Sequence, residues 1–352
     1  MVSSEQTMAP SMAGQNQRSK AMKKNTVAAV LPFPSFYDAN KVSDIYLSRS
    51  AAVAAEAVAF AKVNGIEPSI EDKFKIALFT IDGQIDFCAP GGSLFVPGAV
   101  EDVRRVIEFI YRNLAKLTEL HFSLDTHKVF QIFFQSFLQN NKTGLPPNPF
   151  TLVLTKDIKS GELSFVFFPH ECADYCEELE RTGKYVLCIW PYHTLLGSVG
   201  HALMPALFEA AMFHAIARKK QTNFETKGMH PLTENYSVLS PEVKKVKGQV
   251  VGQFNTKFFK ALMANDRLYI AGEASSHCVK TTIEDLIREI KNVDPKLLDK
   301  VYILEDCMSP VGAVTDGKGN VIVDFPAIAK KALEDFKAAG VHIVKSTDAI
   351  VF

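Results

Sequence analysis

The sequence carries no net charge, because 39 lysines and arginines balance 39 aspartates and glutamates. A neutral chain exerts no general pull on nucleic acid or on an anionic membrane, so neither partner is implied. It also lacks any apolar run near the roughly 20 residues that a bilayer-spanning helix needs. The longest helical apolar stretch toward the N-terminus, Ala51 to Val63, is interrupted by Glu56 and Lys62. Cysteine is sparse, six in 352 residues, and its positions (88, 172, 176, 188, 278 and 307) are scattered. That distribution favours reduced thiols in a cytoplasmic protein over a disulfide scaffold. There is no internal repeat. The first 25 residues are polar, rich in Met and Ser and mildly basic, with no apolar core followed by small residues. They read as a disordered tail rather than a secretory signal.

What is present is an ordinary globular composition, 47% hydrophobic and 22% charged. After the tail, residues 26–73 hold a Pro-Phe-Pro turn and one helical stretch, Val42 to Val63, and read as an N-terminal extension packed on a main domain, 74–352. From Lys75 onward, short apolar runs alternate with amphipathic patterns. Strands are expected at Ile76–Ile81, Leu120–Leu124, Tyr185–Trp190, Leu268–Ala271, Val301–Leu304 and Val341–Val344. Helices are expected at Val100–Leu117, Cys172–Thr182, Val199–Arg218, Cys278–Lys291 and Ala327–Ala339. This alternation argues for an α/β fold of three layers, a mostly parallel sheet of about six strands covered by helices on both faces. Two connections are long, 128–184 (an insertion) and 219–255, and segments of such length often serve as lids, binding elements or subunit contacts.

In open parallel sheets, ligands bind beyond the carboxyl ends of the strands. The first expected strand delivers Asp82 there, the second Asp125-Thr-His127, and the third Trp190-Pro-Tyr-His193. The fourth runs through Gly272-Glu-Ala-Ser-Ser-His into Cys278, which opens a helix. A thiol at a helix N-terminus feels the positive end of the macrodipole, which favours the thiolate. Free backbone N–H groups there can also hold an oxyanion. Cys278 alone reads equally as a nucleophile or as a buried structural cysteine. Asp82 reads as an acid–base group or a turn cap, a role that Asp86 fits better. Lys227, before a glycine, reads alone as an exposed loop residue. Asp125-x-His127 alone reads as polar residues at a strand end sooner than as metal ligands.

The ordered set Asp82-x-Gln84-x-Asp86-Phe87, Asp125-x-His127, Trp190-Pro191-x-His193, Lys227-Gly228…Glu234-Asn-Tyr236-Ser237 and Gly272-x-Ala-x-x-His-Cys278-Val-x-x-Thr282 resembles the isochorismatase-like cysteine hydrolases, and among them the nicotinamidases. The match runs in order over about 74–350, outside the extension and the insertion. The resemblance implies a Rossmann-type fold and a cysteine amidohydrolase acting on a small, ring-type carboxamide such as nicotinamide. It implies an Asp82–Lys227–Cys278 triad, with Asp82 exchanging protons, Lys227 favouring the thiolate and Cys278 forming an acyl-enzyme. It further implies a cis Glu273–Ala274 peptide, with the Ala274 and Cys278 N–H groups as oxyanion hole. Asp125, His127 and His193 fall on the family's metal positions, one carboxylate and two imidazoles suited to Zn²⁺, Fe²⁺ or Mn²⁺, where the ring nitrogen of the substrate approaches the ion. Phe87, Trp190 and Tyr236 would wall a planar ring. Members of the family commonly self-associate, so a homo-oligomer is implied.

Two departures stand out. Many nicotinamidases carry a further His several residues after Asp-x-His, whereas this chain reads Lys128-Val-Phe-Gln-Ile-Phe-Phe134, leaving His170 or Glu171 of the insertion as replacement candidates. Thr194 follows His193 where the family usually has Cys. Two alternatives accompany the main expectation: a metal-independent ureido or carbamoyl amidohydrolase, and a non-catalytic binding or scaffold member.

Overall fold

The computed structural model describes residues 30–182, 185–315 and 318–352. The tail expected over residues 1–25 lies outside them. The central sheet has six strands: β1 (Ile76–Ile81), β2 (Glu119–Asp125), β3 (Asn223–Lys227), β4 (Arg267–Gly272), β5 (Val301–Leu304) and β6 (His342–Val344). Their order across the sheet is β6-β5-β4-β1-β2-β3. Every pairing is parallel, with Ile76 opposite Arg267 and Ile81 opposite Gly272 on one side of β1, and Asp125 opposite Lys227 at the far edge. β1 is buried along its whole length, which is why it reads as a continuous apolar run instead of an alternating one.

The pleat of β1 separates the two faces. Ile76 and Leu78 join a core with α1 (Ser50–Asn64), α2 (Ala99–Arg112) and α4 (Pro205–Ala217). Ala77, Phe79 and Ile81 join the other core, with α3 (Pro169–Thr182), α5 (Thr256–Met263), α6 (Cys278–Val293) and α7 (Phe325–Ala338). The result is the three-layer α/β/α arrangement expected from the sequence. α6 shows how the pattern makes the layer. Val279, Ile283, Leu286, Ile287 and Ile290 recur at helical spacing and are all buried, each worth about 1.5–3 kcal/mol relative to exposure.

One strand assignment was misplaced. Tyr185–Trp190 does not enter the central sheet: Leu187–Cys188 pairs antiparallel with Leu152–Val153 inside the insertion. The sixth strand is β3, in the segment 219–255 expected to be a long connection. β3 is an edge strand whose residues Asn223, Phe224 and Thr226 are exposed, so it carries none of the apolar signal that marks a buried strand. The expected Val42–Val63 helix is shorter, starting at Ser50. The segment before it turns and packs on α2 and α4, where Arg49 Nη2 meets the buried Glu209 Oε2 at 2.6 Å. All six cysteines are free and buried. Among the described residues, no helix is long and apolar enough to cross a membrane.

The chain leaves β1 toward β2 but leaves β4 toward β5, on the opposite side. Between the carboxyl ends of β1 and β4, therefore, neighbouring connections diverge and open a crevice at the topological switch point. Asp82 follows β1 there, and the turn to Cys278 follows β4.

Candidate active site

Asp82 leaves β1 with φ +48 and is completely buried. Its Oδ1 accepts from the Ser123 hydroxyl at 2.6 Å, and its own N–H donates to the same hydroxyl at 3.1 Å. Lys227, the last residue of β3, extends its buried side chain across the strand ends. Its Nζ lies 3.0 Å from Asp82 Oδ2 and 2.8 Å from Asp125 Oδ1. It also donates to Asn235 O at 3.0 Å and to Cys278 Sγ at 3.5 Å. The structure thus brings Asp82, Lys227 and Cys278 together, although the lysine reads from its neighbours as a loop residue.

Electrostatics within this cluster are strongly coupled. Burial would lower Lys227, but Asp125, Asp82 and Cys278 together hold it well above its usual range. Burial raises Asp125, yet His127 and Lys227 overcome it and hold that carboxyl well below the usual range. Asp82 goes the other way: burial pushes it up, and the Asp125 charge adds to that against the pull of Lys227. Cys278 is pushed well above the usual thiol range, first by burial and then by the two carboxylates, with Lys227 opposing. The helix start and Lys227 favour the thiolate, as read from the sequence, and desolvation works against them.

The Glu273–Ala274 peptide is cis, as the resemblance implies. Gly272, at φ +115, precedes it, and a Cβ there would run into the backbone of Ile81, so only glycine fits the turn. Cys278 is the first residue of α6. Neither its N–H nor that of Ala274 donates to another group among the described residues, and both residues line the same cleft.

Beside the thiol, Asp125, His127 and His193 place their ligand atoms within 4.8 Å of one another. His127 Nε2 lies 2.9 Å and His193 Nε2 3.6 Å from Asp125 Oδ2. Each imidazole turns its Nδ1 toward a backbone carbonyl, His127 to Gly228 O at 3.1 Å and His193 to Pro191 O at 2.7 Å. A carbonyl beside each Nδ1 is a ready acceptor for a ring N–H, which would free Nε2 for an ion, the arrangement found around metal-ligating histidines. The donor set fits a divalent ion. His193 does not stand at a sheet strand end, as the sequence implied. It lies on a segment crossing the rim, which is pinned where His127 N donates to Thr194 O at 3.1 Å and Thr194 N to Asp86 Oδ2 at 2.7 Å. Asp86, read from the sequence as a turn cap, thus ties this segment to a second loop, where its Oδ1 accepts from Ser93 N at 3.2 Å.

His170 and Glu171, the candidates for a fourth ligand, lie on α3 and are not in this group. An aromatic wall stands beside the two imidazoles: the Phe134 ring is 5.8 Å from both His127 and His193, and that of Phe133 is 4.7 Å from His127.

Phe87, Trp190 and Tyr236 line the cleft, with Leu94, Val96, Glu234, Asn235, His277 and Val311. The Trp190 indole donates to the Tyr236 hydroxyl at 3.1 Å, and the Phe87 ring is 5.6 Å from His193. Free space in the cleft is only about 30 Å³, room for one or two waters. Entry of a ring therefore requires these walls to move apart. A wider cavity of about 1200 Å³ runs along 33–49 and is lined by none of these residues.

Three supporting residues escaped the sequence reading. Ser123 lies two positions before Asp125 on β2, so the pleat puts both on one face; that spacing was a usable signal. Gln84, fully buried, accepts from Asp125 N at 2.7 Å and donates to Asp125 O and His201 O, each at 2.8 Å. It stood in the motif without a role. Asn235 acts through its carbonyl alone, which no side-chain pattern reveals.

No family model matches this chain, and no curated protein matches it. Solved structures do. A nicotinamidase/pyrazinamidase of Acinetobacter baumanii is similar at 18% identity, covering 80% of this chain and 100% of its own, with a TM-score of 0.49. The yeast nicotinamidase bound to the inhibitor nicotinaldehyde is similar at 20% identity, covering 77% of this chain and 99% of its own, with a TM-score of 0.49. A pyrazinamidase of Pyrococcus horikoshii in complex with zinc has 20% identity, the same coverages and a TM-score of 0.42.

Proposed function

We propose that this protein is a cysteine amidohydrolase that cleaves a small ring carboxamide of the nicotinamide type to its acid and ammonia. One observation carries the reading. A buried thiol, Cys278, lies 3.5 Å from an ammonium that also touches the Asp82 carboxylate at 3.0 Å, beside two backbone N–H groups free to receive an oxyanion.

In the first step Asp82 accepts the thiol proton as Cys278 Sγ attacks the amide carbon, the work of a general base paired with a nucleophile. Its raised pKa suits it to take that proton and hold it for the leaving nitrogen. The carbonyl oxygen, now an oxyanion, receives the N–H groups of Ala274 and Cys278. Lys227 offsets the negative charge gathered on sulfur and carboxylate. When the tetrahedral adduct collapses, Asp82 returns its proton to the nitrogen, the C–N bond breaks and ammonia leaves. Water then adds to the thioester, Asp82 again taking a proton, and the acid is released with the thiol restored. Phe87, Trp190 and Tyr236 hold the ring face. Asp125, His127 and His193 would hold a divalent ion, zinc with iron or manganese as alternatives, which supplies a Lewis-acid contact for a ring nitrogen or a water.

The test is ammonia release from nicotinamide, pyrazinamide and ureido compounds by the purified chain and by Cys278→Ala. Release from a ring carboxamide that disappears in the variant is the expected result. Turnover that survives in Cys278→Ala, or is confined to ureido compounds, would overturn the reading.

A further inference from the structure

The turn that carries the thiol rests on a second pair of buried carboxyls. Asp102 on α2 and Glu273, the residue after β4, are 4% and 1% exposed, and one residue, Ser309, donates to both carboxyls. Two carboxyls gathered on one serine in a dry site favour a proton on one of them. Few other donors are at hand. Glu273 Oε2 accepts from Ser309 N at 3.2 Å, while its Oε1 has no donor from another group among the described residues. Asp102 Oδ2 accepts from the Ser309 hydroxyl, and its Oδ1 accepts from Arg105 Nη1 at 3.1 Å.

Arg105 is the cation in contact with the pair, and it is partly exposed and divided, since the same Nη1 also donates to Asp306 O. The remaining facing groups add negative charge or none. Asp306 acts on Asp102 across the gap and is itself bonded by Ser346 N and Oγ, both at 2.8 Å. Cys88 is a buried thiol pushed well above its usual range by burial, Glu273, Asp102 and Asp82. Two carboxylates in one dry site with one shared, half-solvated cation cannot both ionise cheaply. Both groups are accordingly pushed up, by burial first.

The pair also has a fixed relation to the oxyanion donors. Glu273 directly precedes Ala274, and its own N–H donates to Ile81 O at 2.8 Å. Ser309, which bonds both carboxyls, accepts through its carbonyl from Ser275 N at 2.8 Å. The Ala274 peptide is thus held on both sides by one unit made of Asp102, Glu273 and Ser309. Gly98 lets Ser309 come this close, because a Cβ there would collide with its hydroxyl.

We propose that Asp102 and Glu273 share one proton at neutral pH and form a positioning pair that aims the Ala274 N–H at the oxyanion. Loss of the proton at alkaline pH sets two charges against each other and releases the turn. The catalytic half of this inference rests on the amidohydrolase reading; the shared proton does not.

Two measurements on the full chain decide it. Difference infrared spectra of wild type against Glu273→Gln at neutral pH are expected to show a protonated carboxylic acid carbonyl that the variant lacks. Glutamine keeps a neutral donor for Asp102 and an acceptor for Ser309, whereas Glu273→Ala removes both. In amide turnover, Glu273→Ala is expected to lose about 100-fold in kcat, the effect of misplacing one oxyanion donor, with little change in KM. Glu273→Gln should run at least about tenfold faster than the alanine variant by the same reasoning, and should lose the wild type's alkaline decline in kcat. Absence of the acid carbonyl overturns the shared proton. An alkaline decline unchanged in Glu273→Gln, or equal losses in the two variants, overturns the positioning role. If Glu273→Ala does not fold, the infrared band and the Glu273→Gln pH profile still decide. A wild type that turns over no amide would sink the hydrolase reading while the infrared result still judges the pair.

Discussion

Replacing Lys227 with methionine removes the ammonium around which the candidate site is organised while keeping most of the side-chain volume. Its Nζ lies 3.5 Å from Cys278 Sγ. At an effective dielectric of about 20, unit charges at that separation attract by about 5 kcal/mol, or between three and four pKa units for the thiol. The full amount would make the thiolate about 1000-fold scarcer. Asp82 limits this. Burial already pushes its pKa up, and without the cation at 3.0 Å it takes a proton and removes one negative charge facing the sulfur. The expected outcome is Cys278 alkylation by iodoacetamide slowed about 100-fold at neutral pH. The same variant leaves Asp125 buried without one of its partners, a loss of about 3 kcal/mol at the lower end for broken buried pairs, visible in urea unfolding. The assay needs Cys278→Ala as its blank, since the other five cysteines are also buried. If Lys227→Met alkylated at the wild-type rate and unfolded at the same urea concentration, the coupled cluster described above would be wrong.

Acid stability tests the buried histidines. His214 is held down to about 4 and His277 to about 3, in both cases first by burial. Above about pH 6.5 the folded and unfolded states are alike at these groups. As the pH falls from there toward 4, only the unfolded chain takes up the protons, so stability drops by up to about 2.7 kcal/mol per pH unit for the two together. Urea midpoints between those limits should show this slope, and His214→Gln should roughly halve it; a flat profile would refute it. The metal cluster can be tested through its backbone. Gly228 sits at φ +86, and a Cβ there would meet His127 and Asp125 Oδ1, so Gly228→Ala is expected to weaken zinc binding about 10- to 100-fold. Competition titration with a chromophoric chelator reads this out, and equal affinity in the two proteins would argue against a metal at Asp125, His127 and His193.

Legibility differed sharply between parts of the chain. β1, β2, β4, β5 and β6 and the helices around them follow from runs and periods of apolar residues, because burial on a sheet face or helix stripe leaves that mark. β3 left none, being an exposed edge, and its place was given instead to the apolar Leu187–Cys188, which serves a small sheet in the insertion. The same error hid how Lys227 reaches the site. A lysine before glycine in a polar segment looks solvated, and only the pairing of Asp125 opposite Lys227 shows that it points along the rim into the crevice.

The sequence by itself determined the chemical parts: which carboxylates, imidazoles, lysine and thiol are present, in what order, and that a parallel sheet would set several of them at strand ends. Tertiary structure decided how they act on one another. The partners of Cys278, the gathering of His127 and His193 on Asp125, and the meeting of Asp102 and Glu273 on Ser309 depend on burial and on distances of about 3 Å between residues far apart in the chain. Coulomb and desolvation energies vary steeply with those quantities, and neither is written in the order of the residues.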